Sequence, residues 1–117
     1  MSMTSWGVVM YGIYEDDLNF KKPFKTIRDI FIENYNGENE TTVEINNKNI
    51  CISHEYLEDS QQEVLGFYAG FPWEEGMQGI TRKDVENAIV KVLSPYVIDS
   101  KRKIIQNICY INTVNYG

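Results

Sequence analysis

Residues Trp6 to Tyr14 (WGVVMYGIY) are apolar on both alternating sides. Val9, Tyr11 and Ile13 oppose Val8, Met10 and Tyr14, the pattern of a strand covered on two faces. Glu15–Asp16–Asp17 ends this run. From Pro23 the period changes: Phe24, Ile27, Ile30, Phe31 and Tyr35 recur at helical spacing, while Lys25, Arg28, Asp29 and Glu33 turn outward. The spacing predicts an amphipathic helix with Pro23 near its first turn and Gly37 as its stop. Glu40 to Ile45 and Asn49 to Tyr56 then alternate as two strands, joined by Asn46–Asn47–Lys48, whose asparagines tolerate the left-handed backbone of a hairpin turn. After a polar connection from Leu57 to Gln62, Val64 to Phe71 (VLGFYAGF) is again apolar on both faces. Its Gly66, Ala69 and Gly70 leave room for close packing, most simply of a helix.

Thr81 followed by Asp84 resembles a capping box, and Val85, Ala88, Ile89, Val92 and Leu93 form one stripe that Pro95 closes. Past Lys101–Arg102–Lys103, residues Ile104 to Tyr116 are rich in strand formers and read as a last strand. The expected order is therefore β-α-β-β-β-α-β. That order describes one α+β domain over residues 1–117: a mostly antiparallel sheet of about five strands, with two amphipathic helices on one face.

Composition narrows the classes. The chain has 117 residues, 43% of them hydrophobic, which is enough for one core. No apolar run approaches the ~18 residues of a membrane span, and no charged-then-apolar leader opens the chain. A cytoplasmic setting, with no membrane partner, is the expectation. A net charge of −6 disfavours direct nucleic-acid binding. The abundance of Ile, Asn and Lys over Ala and Arg points to a low-GC genome and says nothing of chemistry. Cys51 and Cys109 each sit among isoleucines and are expected to be buried, free thiols. With a single histidine they offer no structural zinc set.

Catalytic chemistry is hard to assemble. His54 and Glu55 are adjacent on a strand and point to opposite faces, so the carboxylate cannot orient the ring. Cys51 and Ser53 share one face and His54 takes the other, which leaves no nucleophile–base pair, and His54 is expected at the surface near a strand end. Gly76–Met77–Gln78–Gly79 precedes a helix, but Glu74, Glu75 and Asp84 around it would repel a phosphate. Glu15–Asp16–Asp17 lacks the spacing that wraps calcium. No catalytic, metal-ligating or cofactor-binding residue is assigned, and no cofactor is expected.

Charge is distributed unevenly. Residues 33–75 hold ten acids and one base, Lys48, a net of −9. Such a block is either a well-solvated face or a surface for a basic partner, since carboxylates can occupy a groove built for phosphates. Beside it, Phe71–Pro72–Trp73–Glu74–Glu75–Gly76–Met77 either caps the core or offers apolar anchors to a partner. The candidate contact residues are Glu38, Glu40, Glu44, Glu55, Glu58 and Asp59, with Trp73, Glu74 and Glu75.

The runs WGVVMY at residues 6–11, GFYAGFPWEE at 66–75, TRKDVENAIVKVLSPY at 81–96 and YINT at 110–113 resemble small proteins of phages and prophages from low-GC Gram-positive bacteria. The resemblance spans most of the chain and contains no catalytic motif. It implies a setting in the host cytoplasm, where small acidic proteins bind and block a host factor, including defence nucleases and CRISPR effectors. The expectation is a non-enzymatic inhibitor of a host protein with a basic surface. A self-assembling structural protein, with a homodimer as its simplest form, and a small enzyme or ligand-binding domain are the alternatives.

Overall fold

The computed structural model describes residues 5–68 and 79–116. Five strands, β1 (Ser5–Tyr14), β2 (Glu40–Ile45), β3 (Lys48–Leu57), β4 (Gln62–Tyr68) and β5 (Cys109–Tyr116), form one antiparallel sheet in the order β2-β3-β4-β1-β5. Among the described residues three α-helices accompany it, α1 (Ile27–Asn34), α2 (Arg82–Leu93) and α3 (Lys101–Gln106), with a single 3-10 turn at Glu15–Asp17. The α+β class, the five antiparallel strands and the main element order are as the sequence predicts.

Both longer helices begin on the same device. Thr26 and Thr81 each accept the backbone N–H three residues on, and Asp29 and Asp84 reach back to the cap's own N–H, which satisfies donors the first turn leaves open. Pro23 therefore lies ahead of α1 rather than in its first turn. The run from Ile104 begins as helix, not strand. Ser100 caps Lys103, and Ile104 and Ile108, four apart, are both buried, so the strand starts only at Cys109.

The principal core lies between the helices and one face of the sheet, where Tyr11, Ile13, Ile50, Ile52 and Leu65 meet Phe31, Ile89, Leu93 and Ile104. The other face has a smaller cluster of Met10, Leu57, Val64 and Ile111, which includes no helical residue. Leu57 is on β3 and Ile111 on β5. Those strands are separated in the sheet by β4 and β1, yet they come into contact, so the sheet curls around this face.

β1 and β4 approach closely at a glycine pair. Gly12 of β1 lies directly opposite Gly66 of β4, and a Cβ on Gly66 would stand 2.5 Å from the Tyr11 carbonyl oxygen and 2.6 Å from the Gly12 Cα. Gly66 thus makes room for the neighbouring strand, not for a helix.

Candidate functional site

The acidic candidates are sorted by strand register. Glu40 pairs with Ser53, Glu44 with Asn49 and Glu55 with Val64, which places all three glutamates on the face opposite the principal core and its helices. Glu38 precedes Glu40 in the turn after α1, and Glu58 and Asp59 follow the end of β3. Glu38, Glu40, Glu55, Glu58 and Asp59 therefore gather at one end of the β2–β3 sheet. Glu44 lies four residue pairs from Glu40, towards the Asn46–Asn47 turn, where both residues have positive φ. Glu38, Glu40, Glu44, Glu58 and Asp59 are exposed and Glu55 is half-buried. Trp73, Glu74 and Glu75 lie outside the described residues.

Two contacts tie this face together. The Tyr68 hydroxyl donates to Glu55 Oε2, and burial together with that bond pushes the Tyr68 phenol well above its ordinary pKa. The Cys51 thiol donates to Glu40 Oε2 at 3.4 Å. Cys51 is only partly buried and Cys109 is exposed, contrary to the expectation for both. Paired with Thr42 and Gly12 respectively, they face the side of the sheet away from the principal core, and the small cluster on that side does not include them. Both thiols are free, and burial is the largest cause raising each pKa, so neither is set up as a thiolate nucleophile.

His54 departs most from expectation. It is 7% exposed and packs edge-tilted on Phe31 of α1, with ring centroids 4.6 Å apart, because it continues the Ile50–Ile52 stripe beneath the helices. Its carboxylate neighbour comes from the adjacent strand rather than from Glu55. Glu63 Oε2 lies 3.7 Å from His54 Nδ1.

Glu63 opens a second site on the helix side. With Glu15, Thr26, Arg28 and Tyr56 it lines a cleft of about 440 Å³ where β1 ends and α1 begins. Glu15 Oε1 accepts the Ile27 N–H at 2.6 Å, extending the cap of α1, while burial and then the neighbouring Glu63, Asp16 and Asp29 charges hold its carboxyl above the usual carboxylate range. Arg28 reaches Glu63 Oε1 at 3.5 Å from a side chain that is 65% exposed. None of these residues belongs to the acidic set taken from the sequence. The one available signal is the even-numbered run Ile50, Ile52, His54 and Tyr56 on a single strand face.

No family model, curated protein or solved structure matches the chain.

Among the described residues, no three His, Cys, Asp or Glu groups come together in a way that could hold a metal ion. No helix among them is long and apolar enough to cross a membrane.

Proposed function

We propose that the chain is a non-enzymatic binding module whose sheet face opposite the principal core, at the acidic end of β2 and β3, docks the basic surface of a host macromolecule. The observation that carries this reading is the register that sets Glu40, Glu44 and Glu55 on one side of the sheet, away from the helices. Glu38 and Glu58–Asp59 extend the same acidic end. Carboxylates fixed on strands lose less freedom on binding than carboxylates on a loop, and their summed field speeds encounter with a cationic groove. The resemblance to phage and prophage proteins supports a nucleic-acid-handling defence protein of the bacterial host as the partner. The carboxylates would then lie where that protein takes phosphates.

Substituting lysine at Glu38, Glu40 and Glu44 together tests this. Glu55 is spared because, unlike exposed Glu40 with its weak thiol contact, it is half-buried and accepts from the Tyr68 hydroxyl. All three substituted side chains are exposed, so folding stability should change by about 0.5 kcal/mol per site at most. Partner binding should fall at least a hundredfold as attraction turns to repulsion. Undiminished capture of the partner by a folded triple variant would refute the surface assigned here.

A second reading, self-assembly, has one observation in its favour. β5 is the outer strand, and its residues Cys109–Tyr116 include no charged side chain and no proline, whereas the opposite edge strand, β2, bears Glu40 and Glu44. Pairing of β5 with β5 of a second copy would give a sedimentation mass that rises with concentration. A constant monomer mass across that range would count against it.

A further inference from the structure

We infer that β2 takes up an extended, basic segment of the partner protein as a further, antiparallel strand of the sheet. This mode of binding rests on the acidic-face reading and adds to it the backbone contacts that hold the partner. Two features of β2 point to it: an open row of backbone groups, and a different chemistry on each side of that row.

β2 is the last strand on its side of the sheet. The His54 N–H donates to the Asn39 carbonyl at 2.9 Å, and bonded pairs alternate along an antiparallel ladder. Thr41, Val43 and Ile45 therefore bond to β3, while Glu40, Thr42 and Glu44 turn their N–H and C=O groups away from it. The two-residue Asn46–Asn47 turn sets the same phase, because Ile45 and Lys48 close it as a bonded pair. No backbone hydrogen bond joins Glu40, Thr42 or Glu44 to another described element, and all three residues are exposed. An edge left open in this way is a template for strand addition.

The side chains beside this edge specify its occupant. Residues directly opposite each other in a ladder share a face, so those that bond to Glu40 and Glu44 set their side chains against these carboxylates. Lysine or arginine fits there. The residues between them fall on the helix side, over a groove of about 250 Å³ lined by Tyr35, Thr41, Val43, Lys91 and Val92. Its apolar walls favour apolar side chains, and Lys91 repels a base. The matching strand therefore alternates basic and apolar residues. A second copy of β2 does not fit. In the symmetric antiparallel pairing centred on Thr42, Glu40 of each copy would stand opposite Glu44 of the other, and like charges so placed are unfavourable.

The test is an NMR titration of the isotope-labelled full chain with an alternating lysine–valine heptapeptide, blocked at both ends. A second peptide, N-methylated at its lysine amides, keeps the charge and lacks the donors that would bond to β2. The first peptide should give saturable shifts centred on the Glu40, Thr42 and Glu44 amides and slow their exchange with solvent. The methylated peptide should bind about tenfold more weakly or worse. Thr42→Pro removes an N–H that lies outside the ladder with β3, at an edge position where proline is tolerated, so the variant should fold and lose peptide affinity by a similar factor. The methylated peptide makes the same test without altering the chain. Equal affinity for the two peptides, with shifts still confined to the acidic face, would overturn strand addition and leave that face as a charged surface. Shifts centred on β5 would also overturn it. Saturable binding of neither peptide would overturn strand addition and the acidic-face reading together.

Discussion

Gly66→Ala is expected to lower the thermal midpoint by 10 °C or more. The added Cβ would stand 2.5 Å from the Tyr11 carbonyl oxygen, 2.6 Å from the Gly12 Cα and 3.0 Å from the Tyr11 carbonyl carbon. All three are backbone atoms, so no rotamer change can relieve the overlap. β1 and β4 must move apart, which disturbs the second core, where Met10 of β1 and Val64 of β4 pack together with Leu57 and Ile111. Overpacking of this kind costs about 3 kcal/mol, against a gain below about 1 kcal/mol from replacing a flexible glycine within a strand. The Cβ of Gly12→Ala would overlap the Leu65 carbonyl oxygen, and this variant should behave alike. The double variant should cost less than the two single losses combined, because both methyls compete for one gap. Differential scanning calorimetry of the three variants measures this. A Gly66→Ala protein as stable as the parent would show that the close approach of the two strands is not needed.

Asp84→Ala is expected to cost about 2–3 kcal/mol, and the loss should depend on pH. Asp84 is 4% exposed and has two tasks. It accepts the Thr81 N–H as the returning half of the α2 capping box, and its Oδ2 lies 2.8 Å from Lys48 Nζ at the β2–β3 turn. A cap alone contributes about 1 kcal/mol. The Lys48 ammonium, with its side chain 39% exposed, can return to water when its partner is removed, so the loss stays below that of a fully buried pair. The Lys48 hydrogen bond, followed by the Thr81 amide, lowers the Asp84 pKa to about 2 from its ordinary 3.8. A depressed carboxyl stabilises the fold above its unfolded pKa, and that contribution is lost as pH falls through the folded value. About 2 kcal/mol should therefore disappear between roughly pH 4 and pH 2. Urea midpoints of parent and Asp84→Asn should converge over that window and stay parallel above pH 5. Curves that remain equally separated down to pH 2 would show that Asp84 owes its effect to packing rather than to charge.

The parts of this fold that are legible from sequence rest on short-range rules. The Thr81–Asp84 spacing announces α2, and the alternation of Val43 and Ile45 against Ile50 and Ile52 announces the hairpin, because cap and pleat are set within a few residues. The same rules extend further than their first reading. Thr26–Asp29 repeats the capping spacing and places the start of α1, and the four-residue step from Ile104 to Ile108 marks a helical turn inside a run rich in strand formers.

What sequence alone does not reveal depends on register between strands. The acidic block from residue 33 to residue 75 is continuous along the chain but divides in space. Glu40, Glu44 and Glu55 face one way, while Glu63 turns under the helices because it pairs with Tyr56. His54 is buried for the same reason, on the stripe of Ile50 and Ile52, with its partner on the next strand. The cleft draws on the turn that follows β1, on α1 and its cap, and on β3 and β4, segments up to about fifty residues apart, and no local pattern relates Glu15 to Glu63.

An affinity pull-down of the tagged protein from a low-GC Gram-positive host lysate, at low and at high salt and read by mass spectrometry, tests the central claim most directly. The acidic-face account predicts one nucleic-acid-handling protein captured at low salt and released at high salt, as expected of contacts between exposed charges. The lysine variant at Glu38, Glu40 and Glu44 should not recover it. Recovery of the bait alone at both salt concentrations would contradict the account.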